Sequence, residues 1–132
     1  MQLSEHEMTA ALEGAAKTVL AAQRRDVRKG RTDIETVWKE MDRYQRFKLL
    51  DSLGDQILPV LMALPDREVP VGERPRYDDA EITAVVEEKL PEGAGKLRRK
   101  VVVATRVALV RTALGHVPPR ADPERLDVPD HL

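Results

Sequence analysis

With 132 residues, a net charge of −1 and 34% charged residues, the chain has the size of a single domain and a surface not built around polyanions. The absence of cysteine excludes disulfide frameworks, thiolate metal sites and cysteine nucleophiles. No apolar run approaches the ~20 residues of a membrane span, and the opening Met1, Gln2, Leu3, Ser4 lacks the basic and apolar regions of a signal peptide. The expectation is a cytoplasmic protein that does not enter a membrane. Fifteen arginines against seven lysines, with abundant alanine, valine and proline, suggest a GC-rich bacterial genome.

Leu3, Ser4, Glu7 and Met8 occupy the positions of a capping box with its hydrophobic staple, which starts a helix at about Glu5. Met8, Leu12, Ala15, Val19 and Ala22 then recur at alternating spacings of four and three. They form a narrow apolar seam widened by Ala11 and Ala16, and Lys29 and Gly30 are placed to close the helix.

Thr32 and Glu35 have the spacing of a second capping box, followed by Ile34, Val37, Trp38, Met41 and Tyr44 on one side of a helix. Beyond Asp42 the stripe Leu49, Leu50, Leu53, Ile57, Val60 and Leu64 is rotated by roughly 150°. One straight helix cannot bury both, so a break is expected near Asp42, where Asp42 and Gln45 form another capping pair. A kink is expected between Gly54 and Pro59, because proline removes an amide donor.

Residues 65–77, with Pro65, Pro70, Gly72 and Pro75, read as a surface loop. Tyr77, Asp78, Glu81 and Ile82 repeat the staple and box, and the helix that follows ends near Leu90, before Pro91 and Gly93. The last helix, from about Gly95 to Leu114, contains Val101 to Val103, a run that alone favours a strand. Its length and periodicity favour a helix, with Leu97, Val101, Ala104 and Ala108 on one face and Val102, Leu109 and Ala113 on a second, hence packed on two sides. The fold expected is all-α, a bundle of about five helices with a kinked third helix. Its single domain spans 1–117, and residues 118–132 form a proline-rich flexible tail.

No motif carries a specific chemistry. Gly93 to Lys96 resembles the end of a phosphate loop, but the first glycine falls at Leu90 and the hydroxyl residue at Leu97, so an inter-helix turn is the better reading. His6, His116 and His131 have no metal-ligand spacing, and Ser4 and Ser52 lie in no nucleophile elbow. Glu35 with Lys39 and Asp42 with Arg46 are ordinary helical ion pairs. No cofactor and no metal are expected.

Charge is distributed unevenly. Residues 96–116 carry Lys96, Arg98, Arg99, Lys100, Arg106 and Arg111 and no acid, whereas 65–95 carry nine acids against four bases, so the fourth helix is expected to neutralise part of the fifth. Arg24, Arg25, Arg28, Lys29 and Arg31 form a second basic cluster, at a helix end that favours cations. Trp38, Tyr44 and Phe47 fall within ten residues of one another. Trp38 and Tyr44 are expected in the core, with a hydrophobic contact to a partner as the rival role of all three.

The resulting reading is a non-catalytic helical protein-interaction or assembly module, with self-association through the alanine seam as one form of it. The alternative is a DNA-binding or regulatory protein that uses the basic clusters at 24–31 and 96–111. An enzyme with a carboxylate site inside the bundle is a third class.

Overall fold

The computed structural model describes residues 1–91 and 95–121. They contain six helices and no strand: α1 (Glu5–Gln23), α2 (Arg25–Arg28), α3 (Ile34–Glu40), α4 (Arg43–Ala63), α5 (Asp79–Lys89) and α6 (Lys96–Gly115). The starts of α1, α4 and α5 carry the capping residues expected from the sequence, Ser4, Asp42 and Asp78. Ser4 Oγ accepts the Glu7 amide at 3.1 Å while the Glu7 carboxylate accepts the Ser4 amide at 3.0 Å. Asp78 and Glu81 repeat that exchange at the head of α5. Each box satisfies amides that a helix start otherwise leaves without partners.

The extra helix arises at Arg24, where the expected first helix breaks instead of running on to Lys29. Arg24 is extended (φ −102°, ψ 119°), and its guanidinium turns back to Asp26 in the first turn of α2. Gly30, at φ 74°, still closes the second piece, in the left-handed conformation a glycine adopts freely. The next cap also differs from expectation. Asp33, and not Thr32, accepts the Thr36 amide at 2.8 Å, while Glu35 reaches across to Lys17 of α1 at 3.0 Å and not to Lys39.

The break near Asp42 is present. Met41 is extended at the end of α3 and Asp42 caps α4 through the Tyr44 amide at 2.7 Å. α4 then continues as helix through Pro59.

In cross-section α4 and α6 pack together, α5 packs on both from one side, and α1 packs on both from the other. The four long helices thus form a rhomboid with the α4–α6 contact as its short diagonal. Ala11, Ala15 and Ala16 of α1 are completely buried against Ile57 and Leu61 of α4 and Val110 and Ala113 of α6 in one core. Alanines here let backbones approach closely, and these three face the chain's own core. Trp38 from α3, Ile82 and Val86 from α5, and Leu64, Tyr77 and Val117 from the connections close the core.

The loop 65–77 is fastened down. Arg74 Nε donates to the Val117 carbonyl at 2.7 Å, Tyr77 Oη to Pro65 at 2.5 Å, and Arg67 to the Arg76 carbonyl at 2.6 Å. Burial pushes the Tyr77 hydroxyl pKa up, so it stays a donor above the pH at which an exposed tyrosine ionises. Pro118 to Ala121, placed in the tail by sequence, are part of this seam. Arg120 exchanges backbone hydrogen bonds with the loop, donating to Glu73 at 2.8 Å and accepting from Gly72 at 2.9 Å. The rest of the expected tail, and the Gly93–Ala94 turn, lie outside the described residues.

One glycine has a packing role that composition hides. A Cβ at Gly14 would stand 2.5 Å from His116 Cβ and closer still to its ring. His116 caps α6, with Nε2 3.3 Å from Thr18 Oγ1 on α1. In an open helix Gly→Ala gains about 1 kcal/mol. Here overpacking of about 1–3 kcal/mol opposes it, and Gly14→Ala lowers stability in urea unfolding. His116→Gly added to it, which removes the Cβ as well as the ring, relieves that overpacking. A plainly stabilised Gly14→Ala single variant contradicts this contact.

Candidate functional site

α6 is where sequence and structure part company most. Its buried side consists of Val103, Val110, Ala113 and Leu114, with Val107 and Leu109 half-buried beside them. The other expected apolar face does not pack. Leu97 is 82% exposed and Val101 67%, and Ala104 and Ala108 are also exposed. The second packed side is therefore corrected to a solvent-facing stripe. The reason is geometric: α1, α4 and α5 all lie against the buried side, and at 100° per residue the stripe falls on the far side of the helix.

The cations of α6 divide by role. Arg99 is half-buried and donates to the carbonyls of Glu87 and Pro91 at 3.0 and 3.2 Å, satisfying the end of α5. Arg111 pairs with Asp79 of α5, so neutralisation by the acidic helix occurs, but at this position alone among the described residues. Lys96, Arg98 and Lys100 are exposed and make no ion pair among the described residues. They surround Leu97 and Val101 on the first two turns, which carry no buried residue. Beside the stripe, Val103 and Val107 form the floor of a groove between α5 and α6, with Ala104 and Ala108 as one wall and Thr83 and Glu87 on the opposite rim.

The aromatic candidates divide as well. Trp38 is in the core, with Lys17 Nζ 5.7 Å from its ring centroid. Tyr44 is not: it is 61% exposed, as Phe47 is at 62%. The break at Met41 and Asp42 places Tyr44 on α4, nine residues before buried Leu53 and hence about 180° from it. Phe47 belongs to a second apolar groove, between α1 and α4, with Leu12, Leu50, Leu58 and the 64%-exposed Met62. Every charged residue on it is acidic, Asp51 and Asp55.

The cluster at 24–31 lies on and beside α2, which packs against α1 and is not among the principal neighbours of α6. The two basic clusters therefore sit on elements that are not principal neighbours. Arg24 is occupied by Asp26, with Nη2 to Oδ2 at 3.0 Å, whereas Arg25, Arg28, Lys29 and Arg31 are exposed and make no ion pair among the described residues.

No family model, curated protein or solved structure matches the chain. The surfaces themselves carry the argument. Among the described residues no three histidines or carboxylates gather where they could hold a metal ion, and no helix is long and apolar enough to cross a membrane. The polar recess between the N-terminus, the 65–77 loop and Pro118–Ala121 is lined largely by groups already engaged, among them Arg67 with Glu81 and Tyr77 with Pro65. Among the described residues, two grooves of like size have an apolar floor, one between α5 and α6 with unpaired cations beside it and one between α1 and α4 with acids.

The hydrogen bond from Arg24 holds the Asp26 carboxyl below its ordinary range. A folded value below the unfolded one means that the contact contributes above about pH 4 and is lost as pH falls through the folded value. Acidification past that point is therefore expected to release the α1–α2 junction, read as faster exchange of the Val27 amide. Asp26→Asn removes the step, and an identical pH profile in variant and parent rules out this origin.

Proposed function

We propose that the chain is a non-catalytic, cytoplasmic interaction module whose solvent-facing α6 surface binds an acidic, apolar surface of a protein partner. The observation that carries this reading is the exposure of Leu97 and Val101 between cations that no described residue neutralises. Contiguous apolar surface with a polar rim is what a docking site presents to water. The cations select an acidic partner and speed the encounter, while Ala104 and Ala108 leave room for bulky side chains.

The chemistry predicts a ligand of one kind. A synthetic helical peptide of about 20 residues, leucine on one face and glutamate flanking it, is expected to shift the amide resonances of Leu97, Val101, Ala104 and Ala108. Val101→Glu, at an exposed position, should weaken binding about tenfold or more with the fold unchanged. Shifts scattered over the molecule, or no effect of the substitution, remove the reading.

A second reading, DNA binding, is favoured by the exposed and unpaired Arg25, Arg28, Lys29 and Arg31. Duplex DNA that shifts those residues and dissociates steeply with salt would put it first. The apolar crest of α6 argues against a groove-reading helix, since the side chains between its cations offer no hydrogen bonds to base edges.

A further inference from the structure

The chain carries its own complement to the α6 surface. The α1–α4 groove holds Phe47 and Met62, both bulky and more than 60% exposed, beside Asp51 and Asp55. The α6 surface holds small Ala104 and Ala108 beside Lys96 and Lys100, with Asp79 taken up by Arg111 and Glu87 on the far rim, so its cations outnumber its acids. Large side chains meet small ones, and carboxylates meet ammonium groups, when one surface is laid on the other. Pairing α6 with another α6 would instead set cations against cations, because the helix contains no acid.

Where the surfaces sit decides how they can meet. In the rhomboid arrangement the α1–α4 and α5–α6 edges are opposite sides of the bundle, so one copy cannot bring its own two surfaces together. A two-fold dimer, which uses one patch on each subunit, cannot use both either.

Resting on the α6 reading above, we infer that the partner is a second copy of this chain, bound head to tail. The α6 surface of one copy sits on the α1–α4 groove of the next. Such a contact leaves one free surface of each kind at the ends, so association proceeds past the dimer, as heterologous contacts do unless they close a ring.

Sedimentation velocity with two single-surface variants tests this. Val101→Glu disables the α6 surface and Phe47→Glu the groove, both at exposed positions, and circular dichroism verifies that each variant is folded. The parent chain is expected to grow with concentration beyond two copies. Each variant alone is expected to stay monomeric, and an equimolar mixture to give a 1:1 dimer and nothing larger, since each partner supplies the surface the other lacks. Raising salt from low to physiological strength should weaken the mixed dimer at least about threefold through the screened ion pairs.

A parent chain that stays monomeric up to about 1 mM, or one that stops at a dimer, overturns the inference. So does a mixture in which the variants fail to pair. If the acidic peptide still maps to α6 in those cases, the interaction surface stands and only this partner is removed. If it also fails, both fall together.

Discussion

α6 carries apolar side chains on every side, yet α1, α4 and α5 all approach it from one side. That mismatch governs the rest of the structure. Val103, Val110, Ala113 and Leu114 are the residues around which the other long helices assemble. The alanines of α1 let that helix approach closely, and Gly14 leaves the room in which His116 ends α6. Once three helices have taken the inner side, Leu97, Val101, Ala104 and Ala108 have nowhere to go but outward. Burying side chains the size of leucine and valine stabilises by roughly 1.5–3 kcal/mol each. Leaving two of them in water on the same two turns forgoes a gain that a partner can recover.

The electrostatics follow from the same arrangement. α5 lies against α6 and brings acids with it, but of those acids only Asp79 reaches a cation of α6, Arg111. Glu81 turns to Arg67 of the loop, and Arg99 spends its donors on the carbonyl end of α5. The outer cations Lys96, Arg98 and Lys100 stay with the exposed stripe. Charge and apolar surface therefore coincide on one half of one helix, whereas the acids of the α1–α4 groove coincide with apolar surface on the opposite edge.

Much of the fold could be read from the residues, because caps are local. Ser4 with Glu7 and Asp78 with Glu81 fix where two helices begin, and the phase change after Met41 fixes where one ends. The valine run of α6 resolves as helix because its periodicity extends over twenty residues. Periodicity failed where it had to say which of several apolar faces would be covered, since that depends on how many helices arrive and from where. It made α6 two-sided and put Tyr44 with Trp38. The break at Arg24 was hidden because the basic run looked like an ordinary helix end, and the signal that could have shown it is Asp26 two residues on, placed to bind Arg24 and to start a new turn. Of the basic residues marked from sequence, Arg24, Arg99 and Arg111 proved to be occupied within the chain, a role that composition cannot distinguish from a binding one. The α1–α4 groove was missed because Leu12, Phe47 and Met62 belong to no common stripe until two helices are packed.

The chain's lack of cysteine permits a direct measurement of which side of α6 is covered. Single cysteines at positions 97, 101, 103 and 110, labelled with a small thiol reagent in dilute protein, report exposure one residue at a time. One-sided packing predicts that thiols at 97 and 101 react nearly as fast as in an unfolded chain. The thiol at 110 should react on the order of 100-fold more slowly, because only an opening of the core exposes it, and the one at 103, on the floor of the α5–α6 groove, at a rate between the two. Protection at 97 and 101 as strong as at 110 would mean that α6 is covered on both sides, and the account built on its outward face would be wrong.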